Sequence, residues 1–260
     1  ITPGVGPVVA EPFAAQSDLA RLPTPTPDMF DAVAAGVRTT VAELGATPLI
    51  GFAGAPFTVA SYLIEGGPSR DLPRTKAMII REPELFSALL GRLADLAATF
   101  LRVQILAGAS AMQLFDSWVG ALPARLYREH VLPHSERVFA QVADLGVPRV
   151  HFGVGANHLA EDMAGAGCDV LGVDFRVDLD DVDPGIRARM PLQGNLDPAV
   201  LLTDEATIEA EVRRVLTAGR GLRGHVFNLG HGVLPDTPAD NVTAAVRAVQ
   251  EFGEPFQGGS

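Results

Sequence analysis

Two hydrophobic periods alternate along this chain. Ala46-Thr-Pro-Leu-Ile50 is an apolar run of strand length, and GFAGAPFTVASYLIEGG, Gly51 to Gly67, follows it directly. Gly51 and Gly54 with the small Ala53 and Ala55 let the backbone either turn sharply or lie against a neighbour. Pro56 keeps Ala55 extended. From Thr58 the spacing is helical, which sets Tyr62 and Glu65 on one face and leaves Val59 and Leu63 for packing. Upstream, the proline-rich stretch from Ile1 to Pro27 predicts an irregular lead-in with a short helix near Ser17 to Leu22. A helix over Asp28 to Leu44 is predicted by Phe30, Val33, Ala34, Val37 and Val41.

Helices are predicted next over Arg70 to Arg81 and Pro83 to Gly108, the second amphipathic through Leu89, Leu93, Leu96, Phe100 and Val103. From there strands and helices take turns. Ala111 to Phe115 is a strand, and Pro-initiated helices run from Pro123 to Leu145. Arg149 to Phe152 is a strand, with a helix ending at Ala166. Strands follow over Val170 to Phe175, Met190 to Gly194 and His225 to Asn228, with helices over Ile208 to Ala218 and Pro238 to Phe252. Strict β/α alternation with apolar strands implies parallel pairing and right-handed crossovers. The polar clusters Asp116-Ser117, Asn157-His158, Asp174, Asn195 to Asp197 and His231 all sit at C-terminal strand ends. A (β/α)8 barrel places its chemistry there, and no G-x-G-x-x-G supports a dinucleotide fold. The alternation supplies six strands, and the start, Ile1-Thr-Pro-Gly-Val-Gly-Pro, reads as interior chain. Two further strands are therefore expected upstream, with the 260 residues forming a single, N-terminally incomplete barrel domain.

Composition narrows the function. A formal charge of -11 argues against a nucleic-acid or anionic-membrane surface. No apolar run approaches bilayer-spanning length. The single cysteine, Cys168, is expected to be a packed thiol and, allowing no internal disulfide, fits a reducing cytoplasm.

GFAGAPFTVASYLIEGG, Gln113-Leu-Phe-Asp-Ser117, Leu192-Gln-Gly-Asn-Leu-Asp-Pro198 and Phe227-Asn-Leu-Gly-His-Gly-Val-Leu-Pro-Asp236 together resemble the uroporphyrinogen decarboxylase family. The ITPGVGPVVAEPF start and Val131-Leu-Pro-His-Ser135 extend the likeness through essentially the whole chain. It implies a (β/α)8 barrel, a cytoplasmic homodimer, and cofactor-free loss of CO2 from the four acetate arms of uroporphyrinogen III to give coproporphyrinogen III. It also places Tyr62, Ser117 and His231 at substrate-contacting positions, with Tyr62 and His231 as candidate catalytic groups, so the three are expected to meet at one barrel mouth. The family's Arg-rich segment and its central aspartate would precede Ile1. The chemistry suits these residue types. Protonating the pyrrole creates a sink for the electrons that loss of CO2 leaves behind, and the resulting methylene must then be reprotonated.

Each candidate has a structural alternative. Tyr62 can be a packed helical tyrosine, and Ser117 can cap the next segment. His231, between two glycines, suits a carboxylate contact or proton delivery. His130 and His134 have metal-like spacing, but Pro133 interrupts their face and no third ligand is near. His151 is expected to be packed. Arg70, Arg74, Lys76 and Arg81 form a basic run that either is solvated or steers an anionic substrate. Two rival readings remain. One is the related zinc-dependent corrinoid methyltransferase branch, opposed by Gly153 standing where that branch has a cysteine. The other is an inactive barrel serving as a binding module.

Overall fold

The computed structural model describes residues 8–253. The expectation made for the first seven residues lies outside them. The chain divides into two compact units, Ile1–Cys168 and Asp169–Ser260.

In the first unit the lead-in carries two 3-10 turns, Gln16–Arg21 and Pro27–Phe30, the first lying where a short helix was expected. Helix α1 (Asp31–Leu44) follows, then strand β1 (Ile50–Gly54), α2 (Pro56–Glu65), α3 (Pro73–Arg81) and α4 (Pro83–Leu106). Strand β2 (Ala111–Asp116) leads to α5 (Ala124–His130) and α6 (Leu132–Val142), and β3 (Arg149–Gly153) to α7 (Ala160–Gly165). Strands β1, β2 and β3 pair in that order and in parallel. Leu101 and Ile105 of α4 and Val138, Phe139 and Val142 of α6 bury against Ala53 of β1 and Met112 and Leu114 of β2. Phe30 and Val37 pack on Val103 and Ala107, which fixes α1 to α4.

The structure shifts β1 toward the C-terminus of its expected place, so Gly51 and Gly54 are strand residues, and of the two uses expected of the small residues, a sharp turn or a close contact, Gly51 shows the second. The reason is crowding from α4. A side chain on Gly51 would meet Gln104 at 3.1 Å and Ala109 at 3.3 Å. Gln104 itself accepts from Phe52 N at 3.0 Å and donates to Phe52 O at 2.9 Å, so its amide ties α4 to the backbone of β1. The buried face of α2 is also different. Phe57, Ala60, Ser61 and Ile64 are enclosed, whereas Val59 and Leu63 are only half-buried.

In the second unit β4 (Val170–Gly172), α8 (Pro184–Arg189), β5 (Leu192–Gln193), α9 (Glu205–Ala218), β6 (His225–Val226) and α10 (Ala239–Phe252) alternate. Strands β4, β5 and β6 pair in parallel, in that order. Helix α8 was not anticipated. Its start is set by Asp183, whose carboxylate accepts from Gly185 N at 2.7 Å and Ile186 N at 3.2 Å, with Pro184 as the first helical residue. The strands are shorter than expected because the backbone beyond them keeps bonding without strand geometry: Leu196 N donates to Asn228 O at 3.0 Å and Gly230 N to Leu196 O at 2.8 Å.

Candidate active site

In the first unit the signature segment builds its chemistry on the turn from β1 into α2. Pro56 at the first helical position needs no hydrogen bond from its nitrogen, so the helix starts at once after extended Ala55. Thr58 and Tyr62 are then one turn apart on α2. The Thr58 hydroxyl donates to Asp116 Oδ1 at 2.8 Å and accepts from Trp118 N at 3.3 Å. The Tyr62 ring stacks on the Trp118 ring, centroids 4.0 Å apart with 25° between planes. Tyr62, Ser117 and Trp118 are half-buried. Burial pushes the Tyr62 phenol above its ordinary pKa. The 3-10 turn Val119–Ala121 begins without a side-chain cap, so Ser117 is not used as one.

Asp116, the last residue of β2, is fully enclosed. Desolvation drives its carboxyl from 3.8 up to about 7, against the opposing bond from Thr58. Its Oδ2 has no hydrogen-bond partner among the described residues. The Tyr127 hydroxyl is enclosed too, and burial first, then the charge on Asp116, raises its pKa well above the ordinary value.

In the second unit the strand ends are organised by backbone. The Asn195 amide donates to the carbonyls of Asp174 (3.0 Å) and Val177. Asp174 is buried, and its carboxylate accepts from Arg176 Nη1 at 2.6 Å. The guanidinium, about half exposed at 49%, lies 4.5 Å from the centroid of the Phe175 ring. His231 follows Gly230 in the bend after β6 and is exposed to solvent.

Tyr62 and Ser117 thus occur together in the first unit, joined through Trp118, and His231 occupies a strand-end bend of the second. Sequence reasoning missed Thr58, Trp118 and Arg176. The first two had a legible signal, since Thr58 lies four residues before Tyr62 and Trp118 adjoins Ser117. The other histidines are accounted for locally. His151 is fully buried against Phe139, its ring nitrogen 3.2 Å from Met163 O, and desolvation lowers its pKa to about 4. His130 ends α5 while His134 belongs to α6, so they share no helix face. His158 bonds Leu122 O at 2.8 Å and His225 bonds Gly194 O at 2.7 Å. Cys168 is half-buried, its thiol 3.5 Å from Met163 O. Among the described residues no cluster of three or more His, Cys, Asp or Glu is arranged to hold a metal ion. No described helix is long and apolar enough to cross a membrane.

Parallel β/α repeats with polar side chains gathered at C-terminal strand ends define an α/β enzyme of the barrel class. The family model described as uroporphyrinogen decarboxylase (URO-D) matches residues 1–252. The chain is 55% identical over 251 residues to the uroporphyrinogen decarboxylase of Streptomyces griseus, covering 96% of this chain and 69% of that protein. It is 55% identical over 257 residues to the one from Rhodococcus erythropolis (97% and 72%) and 56% identical over 249 residues to the one from Streptomyces coelicolor (96% and 70%). The chain belongs to the uroporphyrinogen decarboxylase family, whose fold is the (β/α)8 barrel, and the described residues supply six parallel-paired strands of that class.

Proposed function

We propose that this protein is a carboxy-lyase of haem and porphyrin biosynthesis that removes the four acetate carboxyls of uroporphyrinogen III and yields coproporphyrinogen III without a cofactor. The carrying observation is identity of about 55% to named uroporphyrinogen decarboxylases across nearly the whole chain. Within this reading the chain forms one barrel domain, Tyr62 and Ser117 hold substrate carboxylate or pyrrole groups, and His231 binds a carboxylate or carries a proton. What supports Tyr62 and Ser117 is their half-buried setting at a strand end, with neither spent on capping or core packing. What supports His231 is an exposed imidazole in a strand-end bend, a side chain able to donate or accept a hydrogen bond there. The same reading makes the protein a homodimer, which rests on the family resemblance alone, in the reducing cytoplasm that its single cysteine fits.

The test is anaerobic incubation with uroporphyrinogen III, using the protein together with whatever its gene encodes on either side, and chromatography of the products after oxidation. Stepwise loss of four carboxyls is expected. An unconsumed substrate would remove the proposal. Sedimentation at micromolar concentration checks the dimer, and a monomer there would remove that part.

A further inference from the structure

The polar groups around Ser117 close a ring of contacts that the decarboxylase reading leaves without a task. Starting at Asp116, Oδ1 accepts the Thr58 proton at 2.8 Å. Four residues along α2, Tyr62 stacks on Trp118, and the Trp118 N–H returns to Thr58 Oγ1 at 3.3 Å. Ser117 is the one residue between the two chain positions this ring fixes. The Thr58 hydroxyl has one proton and two lone pairs, so it can give to the carboxyl while it receives from the amide. The carboxyl is fully enclosed, and its other oxygen has no partner among the described residues. A buried acid held by one side-chain hydrogen bond is costly.

We infer that Asp116, acting through Thr58, is a positioning residue that sets the Ser117-Trp118 turn against α2 and so fixes the relative placement of Tyr62 and Ser117. Asp116 acts at one remove and touches no substrate. The inference rests on the proposed function for its catalytic consequence, but its geometric core stands independently. A dislocation of about 1 Å between reacting or binding groups is enough to cost roughly a hundredfold in rate.

The experiment combines steady-state turnover of uroporphyrinogen III by the full protein with emission from Trp118, the single tryptophan of these 260 residues, taken as the signal lost in Trp118→Phe and recorded without substrate. Thr58→Val and Asp116→Ala are expected to shift that emission to the red and to lower kcat/KM by about tenfold to a hundredfold, chiefly in kcat. Thr58→Ser keeps the hydroxyl and Asp116→Asn keeps an acceptor oxygen, so both are expected to retain the parent emission and most of the turnover. Ser61→Ala is the control, because it removes a buried hydroxyl bonded only to Phe57 O in the same helix, 2.9 Å away, and is expected to change neither reading. Asp116→Asn failing as badly as Asp116→Ala would assign the acid itself to the reaction and overturn the positioning role. Parent-like emission and turnover in Thr58→Val and Asp116→Ala would overturn it as well. If Asp116→Ala does not fold, Thr58→Val against Thr58→Ser makes the same decision. A parent protein that leaves uroporphyrinogen III untouched defeats the proposed function, while the emission series still decides the geometry.

Discussion

The ends of β2 and β6 solve one problem in two ways. After β2, side chains hold the chain: the Asp116 carboxyl, the Thr58 hydroxyl and the stacked rings of Tyr62 and Trp118. After β6, backbone holds it. Gly194 N donates to Val226 O, Leu196 N to Asn228 O and Gly230 N to Leu196 O, all at 2.8–3.0 Å, and only then does the chain release His231 to solvent. The first arrangement can be undone by changing a polar side chain, and the second only by adding bulk. The consequence is an asymmetry in how the two candidate regions should respond to mutation.

The largest effect that sharpens this contrast is expected at Gly230. A Cβ there would lie 2.7 Å from the Phe175 Cα and closer still to its nitrogen, atoms that no side-chain rotation can move. Gly230→Ala is expected to destabilise by about 4 kcal/mol or more, read as the loss of cooperative unfolding or a large fall in Tm. A parent-like Tm would show that the backbone-held end is not rigid.

Next comes pH. Because burial holds Asp116 at about 7 against an ordinary 3.8, the unfolded chain gives up this proton first as pH rises. The associated stability is complete below about pH 4 and is lost on the way to pH 7, on the order of 4 kcal/mol. Buried His151 runs the other way: with its pKa lowered to about 4, the unfolded chain takes up a proton first as pH falls, and stability drains between about 6.5 and 4. The two slopes oppose each other in the parent protein. Denaturant titrations of Asp116→Asn at several pH values are expected to show stability rising from pH 4 to 7 more steeply than in the parent. A variant that merely parallels the parent curve would mean that the carboxyl is ionised in the folded state throughout.

Smaller is Thr58→Val, which strips Asp116 of its side-chain hydrogen bond. A loss of about 1–3 kcal/mol is expected, against which Thr58→Ser should keep most of the stability. Smallest in stability is His231→Ala, within about 0.5 kcal/mol of the parent as befits an exposed side chain, yet slow in uroporphyrinogen turnover. Tyr62→Phe is expected to slow turnover with folding intact. Unchanged rates in both would show that the candidate residues are misassigned.

The alternation of strands and helices, the parallel pairing and the polar strand ends were legible because each rests on a repeated pattern. Local choices made by packing were not. The glycines at 51 and 54 read equally as a turn or a close contact until Gln104 is seen lying against Gly51 and Val59 against Gly54, since a close neighbour and a tight turn call for the same residue. Likewise Val59 and Leu63 looked as good for burial as Phe57 and Ile64, and only the placement of α4 and β2 decides which face of α2 turns inward. Asp116 was visible as a polar residue beside Ser117, but its enclosure depends on α2, β2 and α5 together, and no stretch of sequence encodes that. The start of α8 is a different kind of omission. Asp183-Pro184 is a legible capping pair, overlooked because the helix it opens is only six residues long.

Gln104 has a further effect on how the first unit holds its register. The backbone of Phe52 turns its N–H and its C=O to one and the same amide of α4. A slip of β1 by a single residue would point those two groups the other way and break both bonds at once, so one side chain of the helix indexes the strand that crosses it.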